Sequence, residues 1–275
     1  MTVYHSANAW PGNSTATPGS FRILYVCIAN QCRSPMAERI SRHELQARLA
    51  AKAQPWTISS AGTDAIPGHP MHRLARATVT NLGLDHDGFQ AQRLSTDLIE
   101  QSDLILGATL TERDRVIARA PSALPRAYTV RELARLVTAI APSAPITAEN
   151  AAFGARMFLA EISKLRGLAP YVEPSVDDIV DPPRTPTAFA RCASTIQTAV
   201  ERILDALLAV SPVAEQEHTL LHILGFPEVR KDGWSPADLR RWPAVALRYV
   251  VNAPDRCRAG VARQRAVAGC SRASD

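Results

Sequence analysis

Cys27, Arg33 and Ser34 fall within one short stretch, CIANQCRSP at 27–35. A thiol and a guanidinium at this spacing, on a turn that opens a helix, can hold and attack a tetrahedral oxyanion. The first N–H groups of a helix have no partner inside it, and the aligned peptide dipoles make that end positive, so an anion is its natural guest. Arg33 adds a planar fork that can grip two oxygens of such an anion at once. Cys27 puts a sulfur beneath the same cradle, a setting in which thiol pKa values fall to about 3.5–7.5 from about 8.5. A thiolate facing a bound tetrahedral centre is arranged for nucleophilic attack.

That geometry needs a strand before the loop and a helix after it. FRILYV at 21–26 is almost continuously apolar, the pattern of a strand buried on both faces. Ser34 can cap a helix and Pro35 suits its first turn, so MAERISRHELQARLAA is expected to run as a helix. WTISSAG (56–62) reads as a second strand, and PMHRLARATVTNLGL as a helical stretch stopped by Gly83. SDLILGA (102–108) and RAYTV (126–130) read as further strands, each followed by a helical pattern, with APSAPITAEN (141–150) a loop and AAFGARMFLAEISKL a helix. From Thr185 onward, Phe189, Cys192, Ile196, Val200, Ile203 and Leu207 recur at helical steps, which makes Cys192 a core residue.

Alternating strands and helices predict an α/β fold, a three-layer sandwich with a central, mostly parallel four-stranded sheet wrapped by helices. Residues 1–20 read as a flexible tail, 21–210 as the domain, and 211–275 as a less ordered C-terminal extension, partly helical and then disordered.

The loop VCIANQCRSPMAE at 26–38 resembles that of the low-molecular-weight protein tyrosine phosphatases, whose signature C-x5-R-[ST] follows one N-terminal strand. Asn30, Cys32, Pro35, Ala37 and Glu38 are also in place, SAGT (60–63) follows the second strand, and DIVDPP (178–183) precedes the last helix. The resemblance covers about residues 21–209. It implies that Cys27 is the nucleophile that forms a cysteinyl-phosphate and that Arg33 clamps the equatorial oxygens. The N–H groups of Ile28, Ala29, Asn30, Gln31, Cys32 and Arg33 would supply further donors. The Ser34 hydroxyl would donate to the sulfur, and Asn30 would pin the loop with Ser60 as its partner. Asp181 would be the general acid, chosen over Asp177 and Asp178 because the following proline fixes the loop that presents it.

The family pattern is departed from in places. Ala29 replaces a glycine, a strained choice if that position needs positive φ. Pro183, Arg184 and Asp64 to Ile66 stand where aromatic walls are usual, and Phe89 stands where a histidine supports the loop asparagine. The implied function is phosphomonoester hydrolysis, with phosphotyrosine on a protein, or a small aryl phosphate, as substrate and no cofactor or metal. The alternative is a low-molecular-weight-thiol-dependent arsenate reductase on the same fold. A thioredoxin-coupled one would need a further cysteine pair, and residues 64–130 contain no cysteine.

Composition narrows the rest. The net charge of +5 is carried by residues 226–275, with ten basic against five acidic groups, and 28 arginines against three lysines read as codon usage, so no nucleic-acid partner is expected. The five cysteines are too few and scattered for a disulfide framework. Cys32, inside the nucleophile's own loop, reads as its redox partner. His218 and His222 have i, i+4 spacing without a third ligand and read as solvated, as do His69 and His72. No apolar run reaches membrane length and the N-terminus lacks the charged and apolar regions of a signal peptide, so no membrane contact and a cytoplasmic location are expected.

Overall fold

The structure is a computed structural model that describes residues 20–49, 56–139, 147–148, 151–168, 171–209 and 211–212. All of them belong to one compact unit, Met1–Gln216. The tail before Ser20, the histidine pair at 218 and 222 and the extension beyond 212 lie outside the described residues.

Strands β1 (Phe21–Cys27), β2 (Trp56–Gly62), β3 (Leu104–Gly107) and β4 (Ala127–Thr129) form one sheet in the order β2-β1-β3-β4, with every pairing parallel. The helices are α1 (Arg33–Leu49), α2 (Arg73–Asn81), α3 (Thr96–Glu100), α4 (Leu110–Arg119), α5 (Val130–Ala139), α6 (Ala151–Leu165) and α7 (Pro186–Leu208). The expected α/β sandwich is borne out. Side chains alternate across a strand, and β1 shows the result: Ile23 and Tyr25 join the core that includes residues of α1, α5 and α7, while Leu24 and Val26 join a second core with Ile99 and Val116. The near-continuous apolar run of β1 is thus explained by burial on both sides.

Strand order decides where the chemistry sits. From β1 the chain moves to β2 on one side, and β3 then pairs on the other, so the order reverses at the carboxyl end of β1. Open parallel sheets bind ligands in the crevice such a reversal leaves. The loop at 27–35 occupies that crevice.

Several local expectations are corrected. Helix α1 begins at Arg33 rather than after a Ser34 cap, with Met36 N–H already bonded to Cys32 O at 3.1 Å. Ser34 is free for another task because it lies inside the first turn. Ser20, assigned to the tail, is buried. Thr147–Ala148, assigned to a loop, pairs in parallel with Ser211–Pro212, so the first residues of the supposed extension join the domain. Helix α3, with five residues, is too short to show a helical period in the sequence. Cys192 is buried on α7 as expected. Among the described residues no helix is long and apolar enough to cross a membrane.

Candidate active site

The loop closes around the Cys27 sulfur through a buried chain of polar groups. Ser34 Oγ lies 3.0 Å from Cys27 Sγ. Asn30 Nδ2 donates to Ser34 Oγ and to Ser60 Oγ, both at 2.9 Å, which uses its two protons. Its Oδ1 accepts the Gln92 N–H at 2.9 Å, so all three functions of the amide are satisfied in one orientation. Ser60 in turn donates to Glu38 Oε2 at 2.5 Å, and Arg42 pairs with Glu38 at 2.8 Å. Ser34 Oγ already accepts from Asn30, so its own proton is available to the sulfur, with Ala61 O at 3.3 Å as the competing acceptor.

The backbone conformation of the loop follows from its residue types. Asn30 has φ of 53°, the single positive value at a non-glycine among the described residues. Asparagine tolerates this left-handed region better than most residues because its short polar side chain bonds locally. Ala29 has no positive φ, so its replacement of a glycine brings no such strain. Among the described residues, no backbone N–H of 28–33 donates to another protein group, so these donors are unclaimed within the fold.

Gly62, at the end of β2, lets the loop come this close. A Cβ there would stand 2.5 Å from Ile28 O and 2.7 Å from Asn30 N. Gly62→Ala is therefore expected to cost about 1–3 kcal/mol through overpacking against backbone. It should both lower the melting temperature and weaken inhibition by inorganic phosphate, measured by thermal scan and by competition. Unchanged values for both would mean that the loop does not depend on this approach.

Arg33 is buried, and three neighbours surround its guanidinium. Nη1 donates to Ile179 O at 3.0 Å, Nε lies 3.2 Å from Asp181 Oδ1, and Nη2 is 3.9 Å from Glu112 Oε1. Glu112 is buried and held by Thr109, whose N–H and hydroxyl both donate to its other oxygen in a capping box at the start of α4.

The three aspartates of the late loop are clearly separated. Asp177 is buried and accepts Arg135 Nε and Nη2 at 3.1 and 2.7 Å. Asp178 Oδ1 accepts the Leu110 N–H at 2.8 Å, at the start of α4. Asp181 alone of the three is exposed at the mouth, at 68%, with its carboxyl beside Arg33. The rest of the loop is tied down by Ile179 N–H to Ala108 O at 2.7 Å and Thr129 Oγ1 to Asp177 O at 2.6 Å.

The structure thus brings Cys27, Asn30, Arg33, Ser34, Ser60 and Asp181 together. Ile28 and Ala29 are exposed and Gln31 is half-buried, its Nε2 3.1 Å from His69 Nδ1. Cys32 is a half-buried free thiol; burial, with the negative charges of Asp181 and Cys27, pushes it up to about 12, so it stays protonated at neutral pH. Three partners escaped the sequence. The support for Asn30 comes from Gln92 rather than the Phe89 position, and a backbone donor of this kind leaves no sequence signal. In the sequence Glu38 is only part of the loop pattern, and its burial as the acceptor for Ser60, like that of Glu112 beside Arg33, depends on the fold. His72 is also no simple surface residue: it caps α2 and stacks on Phe189 with ring centroids 5.2 Å apart. Among the described residues, no group of three or more His, Cys, Asp or Glu side chains could hold a metal ion.

Residues 22–142 match the family model described as low molecular weight phosphotyrosine protein phosphatase. A probable low molecular weight protein-tyrosine-phosphatase, EpsP, of Ralstonia solanacearum is 35% identical over 100 residues, covering 36% of this chain and 63% of the relative. The corresponding Etp phosphatase of Escherichia coli K12 is 31% identical over 99 residues, covering 36% and 62%. The chain thus spans under two thirds of the length of these curated relatives. Among solved structures, that of a YwlE mutant from Bacillus subtilis is 16% identical with a TM-score of 0.49, covering 68% of this chain and 98% of the other. The match over 22–142 bears out the resemblance read from the loop.

Proposed function

We propose that this domain, which matches the low molecular weight phosphotyrosine protein phosphatases, hydrolyses phosphomonoesters through a phosphocysteine, with phosphotyrosine on a protein as the substrate class. The observation that carries the reading is the Asp181 carboxyl 3.2 Å from Arg33 Nε, at the mouth of the loop that holds Cys27.

In this reading Cys27 Sγ attacks phosphorus while Arg33 and the N–H groups of residues 28–33 hold the other oxygens. Fixed donors aimed at developing charge stabilise a transition state without reorganising. The bond to the ester oxygen breaks, and Asp181 gives that oxygen its proton. A water then attacks the phosphocysteine, with Asp181 taking the proton back, and the sulfur departs as a thiolate that the Ser34 hydroxyl stabilises. Asn30, Ser60, Gln92, Glu38 and Glu112 hold these groups in place and are positioning residues. The relatives reported above carry phosphatase names, which does not favour arsenate reduction.

Purified protein is expected to hydrolyse p-nitrophenyl phosphate at mildly acidic pH, the range in which general acid catalysis is effective, with no added metal. Arsenate turnover that depends on an added thiol, with no release of phosphate from the ester, would overturn the reading.

A further inference from the structure

One flank of the sulfur's mouth carries charged side chains, at positions where the resembled family usually has an aromatic wall. Thr63 and Asp64 are held against the loop, with Thr63 N–H bonded to Cys27 O at 3.0 Å and Asp64 N–H to Ile28 O at 2.9 Å. Arg115 reaches over from α4, donating Nη1 to Thr63 Oγ1 at 3.0 Å and pairing with Asp64. Arg93 bridges Gly62 in parallel, and Gly62 pairs with Cys27, so two strand spacings, about 10 Å, separate the backbones of Arg93 and the nucleophile.

The charges on this flank do not balance. Asp64 is the carboxylate that pairs with Arg115, and among the described residues the Arg93 side chain makes no hydrogen bond or ion pair of its own. The Thr63 hydroxyl and the Arg115 guanidinium, with Arg93 beyond, hold the Asp64 carboxyl below the usual carboxylate range. Arg93 is exposed, and Arg115 and Asp64 are each about half exposed, at 51% and 55%. A net positive charge therefore stands beside the mouth, accessible to a chain whose phosphoryl group enters the loop.

We propose that Arg93 and Arg115 form a subsite for an acidic side chain next to the phosphoresidue of a protein substrate, with Asp64 as its built-in competitor. This inference rests on the phosphatase reading above. Asp64 holds Arg115 in place between encounters, and an incoming carboxylate exchanges with it. The exchange is nearly balanced, so the subsite contributes selectivity among flanking sequences more than raw affinity.

The test is a pair of phosphotyrosyl peptides that differ only in carrying glutamate or lysine beside the phosphotyrosine, with kcat/KM measured on the full chain. The glutamate peptide is expected to be preferred by about two- to fivefold per charge, the range of exposed ion pairs. The preference should shrink as salt rises to about 1 M, where the screening length falls to about 3 Å. Arg93→Glu should reverse the preference, and because that side chain is exposed the variant is expected to keep its fold, checked by its melting temperature. Asp64→Asn should raise turnover of the glutamate peptide, a sign that mere loss of structure would not produce. Equal turnover of the two peptides by the wild type, or a fall with Asp64→Asn, would overturn the subsite. If p-nitrophenyl phosphate is inert as well, it is the phosphatase reading that fails; if it is hydrolysed, the subsite fails alone.

Discussion

Asp181→Asn is expected to lower kcat on a phosphotyrosyl peptide by about 10²–10⁴-fold, the usual contribution of a positioned general acid. The substitution keeps the size of the side chain and removes its proton. Because Asp181 is exposed and its one close partner is Arg33 at 3.2 Å, fold stability should change little. The loss should depend on the leaving group. Formation of the phosphocysteine from p-nitrophenyl phosphate, whose product is a stable anion, should suffer less than formation from phenyl phosphate. Pre-steady-state measurement on the two esters separates this from the second step, in which the proposed role of Asp181 is that of base. The same substitution at Asp177 provides the contrast. Its carboxylate is buried under two bonds from Arg135, so Asp177→Asn should lower the melting temperature first. Turnover unchanged by Asp181→Asn would remove that residue from the mechanism.

Cys27→Ser is expected to reduce turnover by roughly 10⁴–10⁶-fold, the scale seen when a covalent nucleophile is deleted. A hydroxyl in the same position keeps its proton far more firmly than a thiol and is a weak nucleophile without an adjacent base. The side chain that bonds the sulfur is Ser34, itself a hydroxyl at 3.0 Å, and it offers no base. The cradle should survive, since the N–H groups of 28–33, the Arg33 guanidinium and the Asn30 bonds to Ser34 and Ser60 do not involve the sulfur. Binding of inorganic phosphate by calorimetry should therefore persist while turnover vanishes. Retained turnover would exclude a phosphocysteine; lost binding together with a lowered melting temperature would instead make the sulfur part of the loop's packing.

These two residues also show how differently parts of the site could be read. Cys27, Arg33 and Ser34 lie in one continuous stretch, and a strand, a short loop and a helix start constrain their relative positions through local geometry alone. The sequence by itself therefore determined the alternation of strands and helices and the burial of α7, and it singled out Cys27 and Arg33 as the proposed nucleophile and anion-holding arginine. It was less reliable on single side chains within that stretch. Ser34 looks like a helix cap from its type, yet its hydroxyl serves the sulfur and Asn30; Ala29 looks like the strained position, yet Asn30 carries the positive φ.

The tertiary structure supplies the physical reason that Asp181, rather than Asp177 or Asp178, stands beside Arg33. Arg135 and the start of α4 claim the other two. Only the fold placed Gln92 rather than the Phe89 position beneath Asn30, buried Glu38 and Glu112 at the site, and put Arg93 and Arg115 on its rim. The physical reason is the parallel sheet. Its order β2-β1-β3-β4 gathers the carboxyl ends of strands far apart in the chain into one crevice. No local period in the sequence records which side chains will meet there.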